Sequence, residues 1–177
     1  MVRKVSFKQI ISYVLVSVFV FVLISLLFSY LTKTEDMNIY SNKFFESGTL
    51  YDIGSAGRGT TMARYKFRAK NKTYKGAISL ATFETSNPRI GKNYIVAYNS
   101  KNPNENICFL NLEIHDSISH YFSKNGFDKI PIESYQQTID SFFLKSLTGG
   151  ITKYFPPYYQ KEDFPELEYL WEKESLN

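Results

Sequence analysis

Apolar and polar positions along the chain fall into three regimes. From Ile10 to Leu31 nearly every residue is apolar and none is charged. At about 1.5 Å rise per residue, these roughly 22 residues reach about 33 Å as a helix, enough to cross a bilayer core of about 30 Å. From about Phe44 to His115 the period becomes two, as in half-buried strands. After Asp116 the apolar positions return to helical spacing.

The first regime predicts a membrane-spanning helix at residues 10–31, after a short N-terminus at 1–9. A cleavable signal has an apolar region of about 7–15 residues and a small-x-small cleavage site. Leu27-Phe28-Ser29-Tyr30-Leu31 offers no such site, and no cysteine follows for lipid attachment, so the helix is expected to stay. Arg3, Lys4 and Lys8 precede it, while Lys33 is followed by Glu35 and Asp36. The bias of basic residues places the N-terminus in the cytoplasm and the rest outside it, in an inner-membrane, single-pass topology. The serines at 12, 17, 25 and 29 are expected to bond to the preceding turn of their own helix. Residues 32–43 are polar, lack strong periodicity and read as a juxtamembrane spacer into which the helix can continue briefly.

The second regime, residues 44–115, predicts about five strands. Gly48 to Ile53 is the first, followed by a glycine-rich connection to Gly59. Thr60 to Lys70 alternates, with Thr61, Ala63, Tyr65, Phe67 and Ala69 on one face and Met62, Arg64, Lys66, Arg68 and Lys70 on the other. Asn71-Lys72 is a plausible hairpin turn. Thr73 to Ser79 returns. Asn93 to Tyr98 and Ile107 to Ile114 complete the set, separated by a turn with Asn102-Pro103. Short strands at this spacing predict a small antiparallel barrel or sandwich.

The third regime, residues 116–177, predicts a helical extension. Asp116 to Lys124 reads as a short helix closed by Asn125-Gly126. Ser134 to Gln137 resembles a capping box opening a helix with Tyr135, Ile139, Phe142, Phe143 and Leu147 inward, ended by Gly149-Gly150. Asp163 to Glu166 opens a last helix bearing Leu167, Leu170 and Trp171 on one face. The fold class is therefore α+β: one transmembrane helix, a five-stranded β-module and a helical tail.

Composition adds a core and a charge split. Aromatic residues make up 17% of the chain, with 14 Tyr and 15 Phe, which gives it material for a packed interior. The net charge of +4 resolves into +4 over residues 1–33, +4 over 34–115 and −4 over 116–177. A pI near 9.0 is thus no sign of nucleic-acid binding. The one cysteine, Cys108, excludes an internal disulfide and is expected to be buried.

The stretch from Gly48 to Ile114 resembles a small bacterial membrane-associated β-domain family of unknown function. The likeness is carried by Gly48-Thr-Leu50, by Tyr65 and Phe67, by Tyr74-Lys-Gly76, and by Gly91 to Tyr98 followed by Asn102-Pro103. It implies a small barrel-like module tethered to a bacterial membrane, and no catalytic residues.

Candidate chemistry is sparse. Gly54 to Thr61 lacks the Lys of a phosphate loop and no helix pattern follows. His115, Asp116 and His120 form the one histidine cluster, short of the three or four ligands zinc wants. Ser117, Ser119 and Ser123 lie nearby without a nucleophile elbow. No catalytic, metal or cofactor site is assigned. The sharpest surface feature is the basic set Arg64, Lys66, Arg68, Lys70, Lys72 and Lys75, an outer sheet face that also suits an anionic partner or the acidic C-terminal third. Tyr154, Phe155, Tyr158 and Tyr159 around Pro156-Pro157 are a candidate aromatic docking element or core packing. The function read from this is non-enzymatic: an anchored extracytoplasmic module that binds a partner or supports an envelope complex. Its partners would be the bilayer through Ile10 to Leu31 and an envelope protein or anionic surface, with no nucleic acid. The alternatives are an immunity-type protein neutralising a toxin at the membrane, and a hydrolase or metal enzyme using His115, Asp116 and His120.

Overall fold

One helix, α1 (Phe7–Ser41), carries the apolar stretch and runs on into the globular part. The computed structural model describes residues 7–57, 59–83, 87–115, 127, 130, 132–149 and 157–170. No Pro or Gly interrupts α1, so its backbone ladder is continuous. Of the serines expected to bond to their own helix, Ser17 and Ser25 donate to the carbonyls of Tyr13 and Phe21, at 2.8 and 2.9 Å, whereas the buried Ser29 hydroxyl makes no such bond. α1 is long and apolar enough to cross a membrane, with mean hydropathy 2.9 over its most apolar part, none of it buried within the protein. From Ile10 to Ile24 its side chains are exposed on every side, Phe21 at 72% among them, whereas Ser25, Leu26 and Ser29 are half-buried along one face.

From Lys33 onward α1 meets protein. Lys33, Asp36, Ile39 and Tyr40 are buried, recurring at the three-to-four-residue spacing of one helical face. The stretch expected as a spacer is thus the last turns of α1, docked on the domain. Asp36 accepts a hydrogen bond from Ser146, and Lys33 donates to the Pro157 carbonyl at 2.9 Å.

The β-module is one antiparallel sheet. Its strands are β1 (Lys43–Ser55), β2 (Thr61–Ala69), β3 (Lys72–Ser79), β4 (Asn93–Asn99) and β5 (Asn106–Glu113), in the order β3-β2-β1-β4-β5. β1 begins five residues earlier than the sequence suggests, because Lys43 to Thr49 pair with β4 while Gly48 to Ser55 pair with β2. A bulge at Tyr51, between Leu50 and Asp52, bends β1 where the two pairings meet. The β2–β3 turn is at Lys70-Asn71, one residue before the expected pair, with φ of 49° and 61°. Two positive φ values are those of a type I′ hairpin, which keeps Ala69 paired with Lys72 and preserves the face alternation of β2.

The closed barrel or sandwich expected from the strand count is not formed. β3 and β5 remain edges, approaching each other without a ladder. Side chains span the seam instead: the Tyr65 hydroxyl donates to Asn106 Oδ1 at 2.7 Å. Gly76 of β3 lies against the Tyr65 ring and the Asn106 amide, so a Cβ there would collide with both. Phe83, delivered by a 3-10 turn after β3 (Leu80–Thr82), packs on Phe109 of β5 with ring centroids 5.8 Å apart.

The inner face buries Leu50, Ala63, Tyr65, Phe67, Tyr94, Val96, Tyr98 and Cys108. Phe67 packs on Tyr74 and Tyr98 at 5.7 and 5.4 Å. Cys108 is fully buried, as expected, and burial pushes its thiol well above the ordinary range. β4 is buried on both faces because the last turns of α1 and a second helix, α2 (Glu133–Thr148), cover the outer side of this half of the sheet. Its Ile139, Phe143, Leu144 and Leu147 are buried, and Phe142 and Phe143 meet Phe109. The capping box expected at Ser134 is absent. α2 starts at Glu133 with Ile132 as a cap that makes no side-chain bond. It ends at Gly149, whose amide donates to the Lys145 carbonyl at 2.9 Å.

The last helix expected from Asp163 opens instead as two 3-10 turns, Lys161–Asp163 and Pro165–Leu167, followed by helical residues 168–170. Phe164, Leu167 and Leu170 are buried. Trp171 and the helix expected at 116–124 lie outside the described residues.

Candidate functional site

α1 and α2 cover the β4–β5 half of the outer face, and no described element covers the β2–β3 half. Alternation along β2 puts Arg64, Lys66 and Arg68 on this open half, and cross-strand pairing adds Lys75, directly opposite Lys66. Like charges facing each other across a ladder destabilise it, so this pair is not explained by local sheet stability. Lys66, Arg68 and Lys75 are exposed, whereas Arg64 is half-buried and pairs with Asp52. Lys70 sits in the turn, and Lys72, opposite Ala69, is on the other side of the sheet. The six basic residues singled out from sequence therefore divide: four share a face and two line the hairpin end.

A cleft of about 440 Å³ opens beside Lys66 and Arg68, bordered by Glu46 and the hydroxyls of Ser47, Thr49 and Thr73. It exists because β1 outruns β2. Phe45 is bridged by the backbone of Phe127, at 2.6 and 2.9 Å, and β2 joins β1 only from Gly48. Between these partners the Ser47 amide is met by Glu46 Oε1 at 3.1 Å, so a side chain closes the gap in the strand edge. Burial raises the Glu46 carboxyl above the usual range, and the Ser47 amide opposes that rise. Thr49 Oγ1 is held by Asn93 Oδ1 at 2.8 Å. The cleft thus offers two cations, three hydroxyls and one carboxylate that is costly to ionise.

The other sequence candidates are dispersed. His115 is exposed, with Nδ1 3.9 Å from Glu113 Oε1. Glu113 is the anchor of Arg89, which holds it at 2.9 and 3.0 Å and keeps its carboxyl below the usual range. Asp116, His120 and the serines at 117, 119 and 123 lie outside the described residues. Among the described residues no group of His, Cys, Asp and Glu is placed to hold a metal ion. The glycine-rich connection turns through Gly57 and Gly59, with φ of 86° and 79°, and leads directly into β2. It joins two strands and opens no helix, so the helix N-terminus a phosphate loop requires does not follow.

Of the aromatic element, Tyr154 and Phe155 lie outside the described residues. Tyr159 packs on Phe164 with centroids 6.0 Å apart, and Tyr158 is 66% exposed.

A polar cluster without a sequence signal ties the C-terminal segment down. Tyr40 donates to Glu166, and Lys43 Nζ lies 3.9 Å from the Tyr40 ring centroid. Asp140 of α2 accepts from Tyr169 at 2.8 Å and from Gln136 at 2.9 Å. Burial lowers the Lys43 ammonium, and Asp140 and Glu166 pull it back up. These carboxylates of the acidic C-terminal third therefore face Lys43 and two tyrosines, not the basic sheet face. The residues converge only in three dimensions, over separations of up to 126 positions.

The chain matches no family model, no curated protein and no solved structure.

Proposed function

We propose that this chain is a single-pass membrane protein whose domain binds an anionic partner through the open basic half-face and its cleft, without catalysis of its own. The observation that carries this reading is the Lys66–Lys75 pair, with Arg68 and three hydroxyls beside it, on the one half of the outer face that α2 does not cover. Folding alone gives no reason to set these cations against each other, and an anion would relieve them. An envelope protein or assembly with an acidic surface fits this chemistry. The likeness of Gly48 to Ile114 to small bacterial membrane-associated β-domains accords with it.

The test is co-purification of the tagged full-length chain from detergent-solubilised membranes, with the triple variant Lys66→Glu, Arg68→Glu and Lys75→Glu as comparison. The expected result is a partner retained by the unaltered chain and weakened about tenfold or more by the variant, as losing about 1.4 kcal/mol implies. Recovery of the chain alone, or equal recovery by both, counts against the reading.

The topology proposed with it is an inner-membrane one, N-terminus in the cytoplasm and domain outside, resting on Arg3, Lys4 and Lys8 before the apolar stretch. A reporter fused after Asn177 and active only outside the cytoplasm is expected to be active. An inactive reporter, with an active cytoplasmic one at the same place, reverses the orientation.

A further inference from the structure

The first described segment to meet α1 beyond its apolar stretch comes from far along the chain. Lys33 Nζ donates to the Pro157 carbonyl across 124 positions, and Tyr159 lies within electrostatic reach of Tyr30. From there the segment climbs α1 away from the apolar stretch. Phe164 packs on Tyr40 with centroids 5.4 Å apart, and Glu166 accepts from the Tyr40 hydroxyl. Seven residues of helix separate Lys33 from Tyr40, about 10 Å of rise. Pro157 to Tyr159 is therefore the end of this segment nearest the apolar stretch. Between Pro157 and Tyr159, Tyr158 is 66% exposed, and Tyr30, near the end of the apolar stretch of α1, is 49% exposed.

Tyrosine at such a level has a physical preference, since its ring favours acyl chains and its hydroxyl favours the wet headgroup layer. Resting on the reading of α1 as a membrane span, we infer that Pro157 to Tyr159 is a second membrane contact, with Tyr158 seated in the headgroup layer of the bilayer that α1 crosses. The occupant of this exposed surface is the lipid surrounding α1. α1 runs unbroken from the apolar stretch into the domain, which sets this segment beside the end of that stretch. The contact fixes which side of the domain faces the membrane.

The experiment uses the full-length chain with its one tryptophan replaced, Trp171→Phe, and a new one introduced at Tyr158→Trp or, separately, Phe21→Trp. Both sites are exposed, so neither change disturbs packing. Each variant is reconstituted into phosphatidylcholine–phosphatidylglycerol vesicles in which the phosphatidylcholine carries bromine near the carbonyl end or near the methyl end of its acyl chains. The expected result for Tyr158→Trp is blue-shifted emission, quenched more by bromine near the carbonyl end. Phe21→Trp is expected to be quenched more by bromine near the methyl end. If Phe21→Trp is quenched and Tyr158→Trp keeps water-like, unquenched emission, the second contact is overturned and the span survives. If Phe21→Trp is not quenched, the span itself is overturned, and the inference falls with it.

Discussion

Phe143→Ala is expected to lower the stability of the domain by about 3–5 kcal/mol, the cost of truncating a fully buried aromatic side chain. Phe143 of α2 packs on both of the helix's neighbours. Its ring lies 5.6 Å from Tyr40 of α1 and 6.2 Å from Phe109 of β5. Neither neighbour can close the gap, since Tyr40 is fixed by Glu166 and Phe109 by the sheet. The lost stabilisation is a large share of the about 5–15 kcal/mol that a domain commonly has. Denaturant unfolding of the detergent-solubilised chain, followed by near-ultraviolet circular dichroism, gives the shift in midpoint. A change under about 1 kcal/mol would mean that α2 does not clamp the sheet to α1 as described.

Glu35→Pro is expected to cost about 3 kcal/mol or more, and also to uncouple the domain from the apolar helix. Position 35 lies inside α1, one turn past Leu31. Proline there removes the bond to the Leu31 carbonyl and its ring clashes with that carbonyl, which kinks or breaks the helix. The control is Glu35→Ala, which loses the same carboxylate and keeps the backbone. In vesicles, a fluorophore on the domain is expected to show slow, membrane-limited rotation in the alanine variant and additional fast rotation in the proline variant. Identical anisotropy decays in the two would refute a rigid joint between helix and domain.

That joint was hidden in the sequence for a definable reason. The inward positions of α1 after Leu31 are Lys33, Asp36, Ile39 and Tyr40, and two of the four are charged. Hydrophobic periodicity is blind to a helical face whose polar members are buried against Pro157 and Ser146. The apolar stretch, by contrast, needed only a count of uncharged residues. β2 was legible because its outer face is open, which leaves clean alternation between Ala63, Tyr65, Phe67 and the basic residues. The early start of β1 was not, because Lys43 to Ser47 pair with β4 on one edge and have no β2 partner on the other. Strand count suggested closure, but closure depends on a β3–β5 ladder that no local pattern encodes. The grouping of Arg64, Lys66 and Arg68 was legible from the alternation of β2. The places of Lys75 and Lys72 were not, because they follow from the turn at Lys70-Asn71, which sets Lys75 across from Lys66 and sends Lys72 to the other face.

If an anion binds between Lys66 and Lys75 as proposed, the domain becomes its own detector, because the site exists only while β2 and β3 stay paired. Occupancy would then draw the folding equilibrium towards the native side, by about 2.7 kcal/mol at a hundredfold excess over Kd. Melting temperature then ranks ligands without any assay of activity, and the Lys66→Glu, Arg68→Glu, Lys75→Glu chain, whose own melting is recorded alongside, separates anions that use this face from those that stabilise the protein elsewhere.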